Sequence, residues 1–295
     1  MIDKIRTTDD IVFESLGGPA CYSGITSKRF GFDVALVTKV GRDFPRELYQ
    51  ILQNNNIVLD QNVLTDSPTT KFQISGQSDS RDLVLIDKCK SLTVDDIESV
   101  NADCWLASPV IDELSSSLLA DIKQKRRKKK NFVMLDPQGY LRAVDYRGHV
   151  TLREKVELDL SGIDAIKVDD QEMAALTAGL QGLNGMQALQ SSGVEFVIYS
   201  ELGTVHLLHN KMHYWLTLQR IDALDSTGLG DILCASFLCA YLKERDPIWA
   251  ICFGAGAVRA ALETGNVGIA KIPFLTKIEE IASYLYNTIG FQRLS

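Results

Sequence analysis

The feature that most constrains this chain is the alternation of short apolar runs with helical segments. Runs rich in β-branched and aromatic residues predict strands at residues 34–40, 104–107, 132–135, 163–168 and 194–199. Helical patterns are found at residues 114–125, 171–178, 186–190, 232–242, 248–262 and 278–286. Short buried strands separated by helices indicate βαβ units, so we expect an α/β fold whose mostly parallel sheet is covered on both faces.

One stretch interrupts this alternation. Residues 57–87 leave no room for a long helix and contain short apolar runs at 61–64, 70–75 and 81–87, separated by turn residues. The pattern predicts a small antiparallel β-element, either an edge extension or a lid that shields a site from water. We expect a single domain over residues 1–295, with a lid formed by about residues 4–16 and 60–88.

Composition excludes several classes of protein. Hydrophobic residues make up 45% of the chain and charged residues 23%, and the net charge of −7 argues against a general nucleic-acid binder. The basic run at residues 123–130 is interpreted as a solvated helix end. The six cysteines are scattered, and no apolar run approaches the roughly 20 residues that cross a bilayer. We expect a cytoplasmic protein with reduced cysteines and no membrane partner.

The strongest local motif is DSTGLGD at residues 225–231, followed directly by an apolar helix. Gly228 and Gly230 permit a tight backbone and leave N–H groups uncovered by side chains. Such a turn at a helix N-terminus offers hydrogen-bond donors to an anion such as a phosphoryl group. Asp231 would then accept a proton from a substrate hydroxyl. On spacing alone, a glycine-rich connection with a capping aspartate is an equal alternative.

Other phosphate-binding signatures are missing from the sequence. It contains no G-x-x-x-x-G-K-[ST] motif, no complete G-x-G-x-x-G fingerprint, and no H-R-D or D-F-G pair. P-loop proteins, dinucleotide-binding domains and protein kinases are therefore excluded on motif grounds.

Over nearly its whole length the chain resembles the ribokinase/PfkB family of sugar kinases. Residues 225–231 match the family's D-T-x-G-A-G-D signature, and the N-terminal signature is present as the Gly17–Gly18 pair followed by V-G-R-D at residues 40–43. The family's N-x-x-E motif corresponds to residues 169–172. The run at residues 136–142 resembles a branch that contains archaeal sugar and inositol kinases. The resemblance implies a ribokinase-like three-layer sandwich with a mostly parallel central sheet and a small β-sheet lid.

The resemblance also implies a role for each matching residue. For catalysis it implies an anion hole at Gly228, Leu229 and Gly230, with Asp231 as the base. For the acceptor it implies contacts from Asp3, Gly17, Gly18, Tyr22 and Asp43. For the nucleotide it implies Asp169, Ser200, Gly203, Thr227 and Asn266, and for Mg²⁺ it implies Glu172 and Asp169.

Several positions depart from the family's pattern. Tyr22 stands where the family usually has an Asn that touches sugar hydroxyls, and Pro19 stands where ribokinase has a Lys, and both differences argue against ribose itself as the acceptor. Asp169 replaces the Asn of N-x-x-E and adds negative charge. Ser200 replaces the first Gly of the nucleotide-site pattern G-x-x-G. The small residues at 253–258 indicate a helix that either borders the adenine or packs closely on other helices.

The beginning of the sequence also differs from the family. Family chains open with a strand that precedes the aspartate matching Asp3, whereas only two residues precede Asp3 here. We expect either that translation starts upstream or that this first, central strand is missing, and we prefer the upstream start.

The sequence therefore predicts a kinase that transfers the γ-phosphoryl group of ATP, with Mg²⁺, to a hydroxyl of a small sugar or polyol. The acceptor would be inositol-like or ribose-like. A nucleoside kinase of the same family and a catalytically weak sugar-binding sensor are the alternatives. The expected partners are this acceptor and a nucleotide, without nucleic acid, and the resemblance allows a homodimer formed through the lid.

Overall fold

The computed structural model describes residues 1–6, 12–57, 59, 63–75, 82–129, 131–201, 203–221 and 223–294, without the side chains of residues 126–129. The predicted lid segments at residues 4–16 and 60–88 and the basic run at residues 123–130 therefore lie partly outside the described residues.

The strands are short, as the apolar runs predict. In chain order they are β1 (Ile2–Arg6), β2 (Val12–Leu16), β3 (Val40–Gly41), β4 (Leu64–Thr65), β5 (Lys71–Ser75), β6 (Asp82–Asp87), β7 (Cys104–Ala107), β8 (Phe132–Leu135), β9 (Arg142–Val144), β10 (Val150–Leu152), β11 (Ala165–Asp169), β12 (Phe196–Glu201), β13 (Thr204–His209), β14 (Met212–Thr217) and β15 (Gly290–Arg293).

The helices are longest in the C-terminal third. In chain order they are α1 (Gly18–Arg29), α2 (Arg46–Asn54), α3 (Val94–Glu98), α4 (Ser116–Lys129), α5 (Gln138–Leu141), α6 (Asp170–Leu176), α7 (Gly182–Ser191), α8 (Leu229–Glu244), α9 (Pro247–Glu263) and α10 (Leu275–Thr288). A single 3₁₀ turn follows α9 at Gly268–Lys271. None of the described helices is long and apolar enough to cross a membrane.

The central sheet has seven strands in the order β15-β14-β13-β12-β11-β8-β7. The half from β7 to β12 is parallel, and the half from β12 to β15 is antiparallel. Successive residues of β12 point to opposite faces, so Val197 lies in one apolar core and Ile198 in the other. Helices α1, α8, α9 and α10 cover one face, and α4, α6 and α7 cover the other. The predicted three-layer α/β sandwich is confirmed, and its central sheet, expected to be mostly parallel, is mixed, with three parallel and three antiparallel pairings.

A second, four-stranded sheet contains strands from both segments expected to form the lid, and we call it the lid sheet. Its order is β2-β1-β5-β6, with β1 antiparallel to β2 and parallel to β5, and β5 antiparallel to β6. Ile5, Phe72 and Ile74 form its own small core with Val110 and Ile111, which follow β7. The lid sheet therefore rests on the loop at the carboxyl end of β7.

The predicted strand at residues 34–40 is wrong. Only β3 is formed there, and it pairs with β4. Among the described residues, the backbone of residues 34–39 makes no backbone–backbone hydrogen bond, and β7 is the edge strand of the central sheet. A strand requires a partner strand, and this segment instead borders a cavity of about 280 Å³ lined by Leu36, Trp105 and Ala107. We call this cavity, between residues 33–39 and β7, the β7 groove.

The basic run at the end of α4 is less exposed than expected. Lys123 is buried, and its Nζ donates to Asp159 Oδ2 at 2.6 Å. Lys125 Nζ donates to the carbonyls of Ile97 and Glu98. These two lysines tie α4 to neighbouring loops, so only part of the run can be a solvated helix end.

Candidate active site

The carboxyl ends of the parallel strands meet at one edge of the central sheet. Ser108 follows β7 and Asp136 follows β8, and Ser108 Oγ donates to Asp136 Oδ2 at 3.1 Å. Asp169 ends β11 and pairs in register with Ser200 of β12. Ligands of open parallel sheets bind outside the carboxyl ends of the strands. This edge therefore carries carboxylates and hydroxyls where the topology predicts a site.

The turn at residues 225–231 leads into the 16-residue helix α8 at this edge. Gly228 caps the helix with a φ of +76°, and a Cβ there would lie 2.5 Å from ring atoms of Tyr22, so only glycine fits. A Cβ on Gly230 would lie 3.5 Å from Lys167 Nζ, which places the start of α8 against β11. The first N–H groups of a helix have no partner within the helix and can bind an anion.

Asp231 lies in the first turn of α8 and is only 6% exposed. Burial raises the pKa of its carboxyl well above the usual range, and the negative charges of Asp136 and Asp3 raise it further. The positive charges of Lys167 and Arg142 oppose this rise. Two other carboxylates and two cations therefore surround Asp231, an environment that suits a general base.

Asp169 and Glu172 form a capping box at the start of α6. Asp169 Oδ1 accepts the N–H of Glu172 at 2.8 Å, and Glu172 Oε2 accepts the N–H of Asp169 at 2.9 Å. Lys167 Nζ also donates to Glu172 Oε2, at 3.2 Å, and both side chains are buried. Burial lowers the pKa of Lys167, but Glu172, Asp136 and Asp169 raise it above its usual value. Lys167 is therefore a fixed cation beside Asp231.

The two carboxylates assigned to Mg²⁺ fit a metal unequally. Mg²⁺ prefers oxygen ligands and keeps several waters. The carboxylate of Glu172 is engaged by Lys167 and by the helix cap, so it does not fit direct ligation. Asp169 is half-buried at the sheet edge and fits a contact through water. In the part of the chain that the structure describes, no group of three or more His, Cys, Asp or Glu side chains is arranged to hold a metal ion.

Asp3, Gly17 and Tyr22, three of the residues expected to bind the acceptor, lie close to one another and to the turn at residues 225–231. Asp3, on β1, is buried, and a Cβ on Gly17 would lie within 2.4 Å of its carboxylate atoms. Tyr22, on α1, is fully buried, and its hydroxyl has no hydrogen-bond partner among the described residues. Burial raises the pKa of Tyr22, as do the charges of Asp3 and Asp231. Gly18 begins α1 with a φ of +74°. Gly17 therefore packs against the Asp3 carboxylate, and Tyr22 packs against the turn at Gly228.

Asp43 has its contacts at the base of the lid. Its Oδ1 accepts from both the N–H and the hydroxyl of Thr69, each at 2.8 Å. Partial burial raises the pKa of Asp43, but these hydrogen bonds and Lys71 hold it below its usual value. A Cβ on Gly41 would lie 2.3 Å from Asp43 Oδ1. The V-G-R-D motif therefore anchors β3 to the loop that leads into β5.

The residues expected to bind the nucleotide lie in several elements. Thr227 lies in the turn, and its N–H donates to Asp225 Oδ1 at 2.8 Å. Gly203, with a φ of +81°, follows β12, and Asn266 lies in the loop after α9, where its Nδ2 donates to Ala270 O at 3.3 Å. Ser200 lies beside Asp169, as described above. Of this set, the structure places Ser200 and Asp169 side by side.

The small residues of α9 are used for helix packing. A Cβ on Gly254 would lie 2.9 Å from Leu233 Cδ1 of α8, and a Cβ on Gly256 would lie 3.1 Å from the backbone nitrogen of Ala282 in α10. Of the two interpretations of residues 253–258, close helix packing is therefore the one that these glycines serve.

Four charged residues at the site were not assigned from the sequence: Asp136, Arg142, Lys167 and Lys271. Lys167 could have been found from the sequence, because a lysine within an apolar strand such as β11 is buried only when it has a charged partner. Asp136 and Arg142 are the two ends of the run at residues 136–142, and nothing in that run indicates that their charges lie beside Asp231. Lys271 lies in a short apolar stretch near the end of the chain, and nothing in the local pattern connects it to the turn.

Comparison with known proteins identifies the family. The sequence profile described as pfkB family carbohydrate kinase matches residues 8–273. The chain belongs to this family. A search of curated proteins found no match.

Solved structures of the ribokinase family share the fold of this PfkB protein at low sequence identity. A pyrophosphate-dependent kinase complexed with a pyrophosphate analogue and myo-inositol has a TM-score of 0.76 and 19% identity, over 95% of this chain and 97% of that one. Fructokinase from Vibrio cholerae O395, bound to fructose, ADP and calcium, has a TM-score of 0.77 and 17% identity, over 95% and 96%. Ribokinase from Arabidopsis thaliana, complexed with ribose and ATP, has a TM-score of 0.70 and 18% identity, over 95% of each chain.

Proposed function

We propose that this PfkB protein transfers the γ-phosphoryl group of ATP to a hydroxyl of a small sugar or polyol, with Asp231 as general base. The observation that carries the proposal is the position of Asp231, which is buried in the first turn of α8 among Asp3, Asp136, Lys167 and Arg142. Membership of a carbohydrate kinase family supports the same reaction class.

In this proposal the start of α8 supplies two groups for the reaction, a carboxylate and a set of backbone N–H groups. Asp231 accepts the proton of the acceptor hydroxyl, and its raised pKa makes it a stronger base than an ordinary carboxylate. The backbone N–H groups of Gly228, Leu229 and Gly230 act as the anion hole for the transferring phosphoryl group. Catalysis of phosphoryl transfer depends mainly on such positioning and charge stabilisation.

The acceptor would lie against Asp3, Gly17, Gly18 and Tyr22. A buried carboxylate accepts hydrogen bonds from hydroxyl groups, and the phenol of Tyr22 can donate or accept one. We favour a cyclic polyol such as an inositol, because a structural neighbour binds myo-inositol. Asp43 would contribute indirectly, by fixing the base of the lid through Thr69.

For Mg²⁺, we propose that Asp169 holds the ion through water while Glu172 positions Asp169 and Lys167. When bound to phosphates, Mg²⁺ neutralises their negative charge. Lys167, 3.2 Å from Glu172, provides a fixed positive charge beside the same site. Ser200, Gly203, Thr227 and Asn266 remain our proposed nucleotide residues.

Pyrophosphate is the second candidate donor. Gly254 and Gly256, which were expected to border an adenine, pack against neighbouring helices instead. A pyrophosphate donor has no adenine and therefore needs no pocket for one. Structural neighbours that use pyrophosphate support this alternative.

Two further expectations belong to this proposal. The lid strands expose Val12 and Ile86, apolar residues that suit pairing of two lids in a homodimer. All six cysteines are free thiols, which suits a reducing compartment such as the cytoplasm.

A panel assay tests the proposal. ATP or pyrophosphate is supplied with Mg²⁺ and with each of a set of sugars, inositols and nucleosides, and donor consumption is measured together with ligand-induced thermal shifts. We expect consumption of ATP with a sugar or polyol. Turnover only with nucleosides would favour the nucleoside kinase, and thermal shifts without consumption of either donor would favour the sensor.

A further inference from the structure

Lys271 is a buried lysine next to the turn at residues 225–231. It is 1% exposed, and its Nζ lies 2.7 Å from Asp225 Oδ2 and 2.8 Å from the carbonyl oxygen of Asp225. A buried ammonium is costly unless it is paired. Lys271 ends the 3₁₀ turn at Gly268–Lys271, 40 residues after the last residue of the turn at residues 225–231. Its ammonium nevertheless contacts Asp225, the first residue of that turn.

The carboxylate of Asp225 connects three groups around this charge. Oδ1 accepts the N–H of Thr227 at 2.8 Å, inside the turn. Oδ2 accepts the N–H of Gly268 at 2.8 Å as well as the Lys271 ammonium. Burial raises the pKa of Asp225, but Lys271 and these N–H groups hold it below its usual value. The turn is therefore joined to the loop after α9 through one ionised carboxylate.

Lys271 also contacts the surface on which the turn rests. Its Nζ lies 5.8 Å from the ring centroid of Tyr22. The same ring lies beneath Gly228, where a Cβ would approach it to 2.5 Å. One ammonium thus interacts with the residue that begins the turn and with the aromatic ring that supports its left-handed glycine.

We propose that Lys271 is a positioning residue for phosphoryl transfer, whose ammonium is the cation that holds the turn at residues 225–231 in its anion-binding shape. This rests on the proposed function. Because the chain itself supplies the charge, turnover of the natural protein does not depend on a dissolved monovalent cation. Removal of the ammonium leaves the buried carboxylate and the carbonyl oxygen of Asp225 without their cation. A small cation can then bind these two groups and neutralise the carboxylate.

Chemical rescue tests the proposal. Natural protein, Lys271→Ala, Lys271→Met and Lys271→Arg are compared in choline, sodium, potassium and ammonium chloride at equal ionic strength, with kcat, KM and Tm as readouts. We expect the natural protein to vary less than about twofold among the salts. We expect Lys271→Ala to lose about 10²-fold in kcat in choline, the scale of a misplaced catalytic geometry, and to recover partly in ammonium or potassium. Lys271→Met fills the site without charge, so it should not recover, and Lys271→Arg should retain part of the activity.

The control is Lys123→Ala. Lys123 is another buried lysine, in α4, and the substitution removes its ion pair with Asp159. Its kcat and Tm should not depend on the cation. The Tm measurements use no substrate, so cation-dependent stabilisation of Lys271→Ala is observable even if no acceptor is found and the proposed function fails. Potassium activation of the natural protein, or a Lys271→Ala variant with full kcat in choline and no cation effect on Tm, would overturn the proposal. If Lys271→Ala does not fold, the natural protein and Lys271→Met still decide it.

Discussion

The turn at residues 225–231 and the segment at residues 33–39 satisfy their backbone groups in opposite ways. In the turn, the Asp225 carboxylate accepts the N–H groups of Thr227 and Gly268, and the Lys271 ammonium binds the same carboxylate. Residues 34–39 make no backbone–backbone hydrogen bond with other described residues, and their side chains line the β7 groove.

The difference shows what each kind of local structure needs. The turn is held partly from within, by the hydrogen bond between Thr227 and Asp225, and partly by Gly268 and Lys271 of the loop after α9. A strand takes its partners from another strand, and without one its apolar sequence packs without regular pairing. The two regions should therefore respond differently to the same kind of substitution.

The largest contrast is expected between Asp231 and Asp33, one in each region. Asp231→Asn removes the proposed base, so kcat should fall by about 10²–10⁴-fold while donor binding is retained. Asp33→Asn changes a fully exposed side chain and should leave kcat unchanged. Steady-state kinetics with the acceptor found in the panel measure both. Retention of more than about a tenth of kcat by Asp231→Asn would exclude Asp231 as the base.

Two glycines with left-handed backbone provide the next contrast. Gly228→Ala places a Cβ 2.5 Å from the Tyr22 ring at a φ of +76°, so strain and overpacking together should cost about 2–5 kcal/mol. Gly31→Ala has a φ of +81° but no atom within 4 Å of the new Cβ, so only strain, about 1 kcal/mol, is expected. Urea unfolding gives both values. Equal costs would mean that the turn does not rest on Tyr22 in solution.

Two leucines compare the groove with the sheet. Leu207→Ala, which truncates a fully buried side chain of β13, should cost about 2–5 kcal/mol of the free energy of unfolding. Leu36→Ala, at a half-buried side chain in the β7 groove, should cost only about 1 kcal/mol, because the substitution removes less buried apolar surface. Urea unfolding again measures the difference. A cost at Leu36 as large as that at Leu207 would show that the groove is closely packed.

The smallest expected effect concerns the ion pair that anchors the groove segment. Lys39 Nζ lies 2.8 Å from Asp96 Oδ2. Partial burial raises the pKa of Asp96, but Lys39 and Thr93 hold it below its usual value. The stabilisation is therefore present above about pH 4 and is lost as the pH falls below it. The Tm of Asp96→Asn should lie below that of the natural protein at pH 7 and approach it at pH 3.5; a constant difference would contradict this.

The turn and the groove segment also show which features a sequence can predict. The strands at residues 104–107 and 132–135 were predicted to the residue, because buried parallel strands are continuous apolar runs. The turn at residues 225–231 that leads into a helix was predicted from its glycines and Asp231, although the helix, expected over residues 232–242, already begins at Leu229. The strand at residues 34–40 failed, because its apolar pattern does not reveal whether a partner strand is beside it.

The charged surroundings of Asp231 were beyond the sequence. Asp3 lies on β1, Lys167 on β11 and Asp136 directly after β8, and only the arrangement of these strands brings the three charges to one carboxylate. The same holds for the helix packing that takes up Gly254 and Gly256.

The sequence by itself determined the family, the α/β layers and the turn at residues 225–231, because each depends on local pattern and short-range spacing. The tertiary structure alone decided that Lys271 pairs with Asp225 and that residues 34–39 lack a strand partner. Both depend on which distant segments become neighbours, and charge and hydrogen-bond energies depend on those distances rather than on separation along the chain.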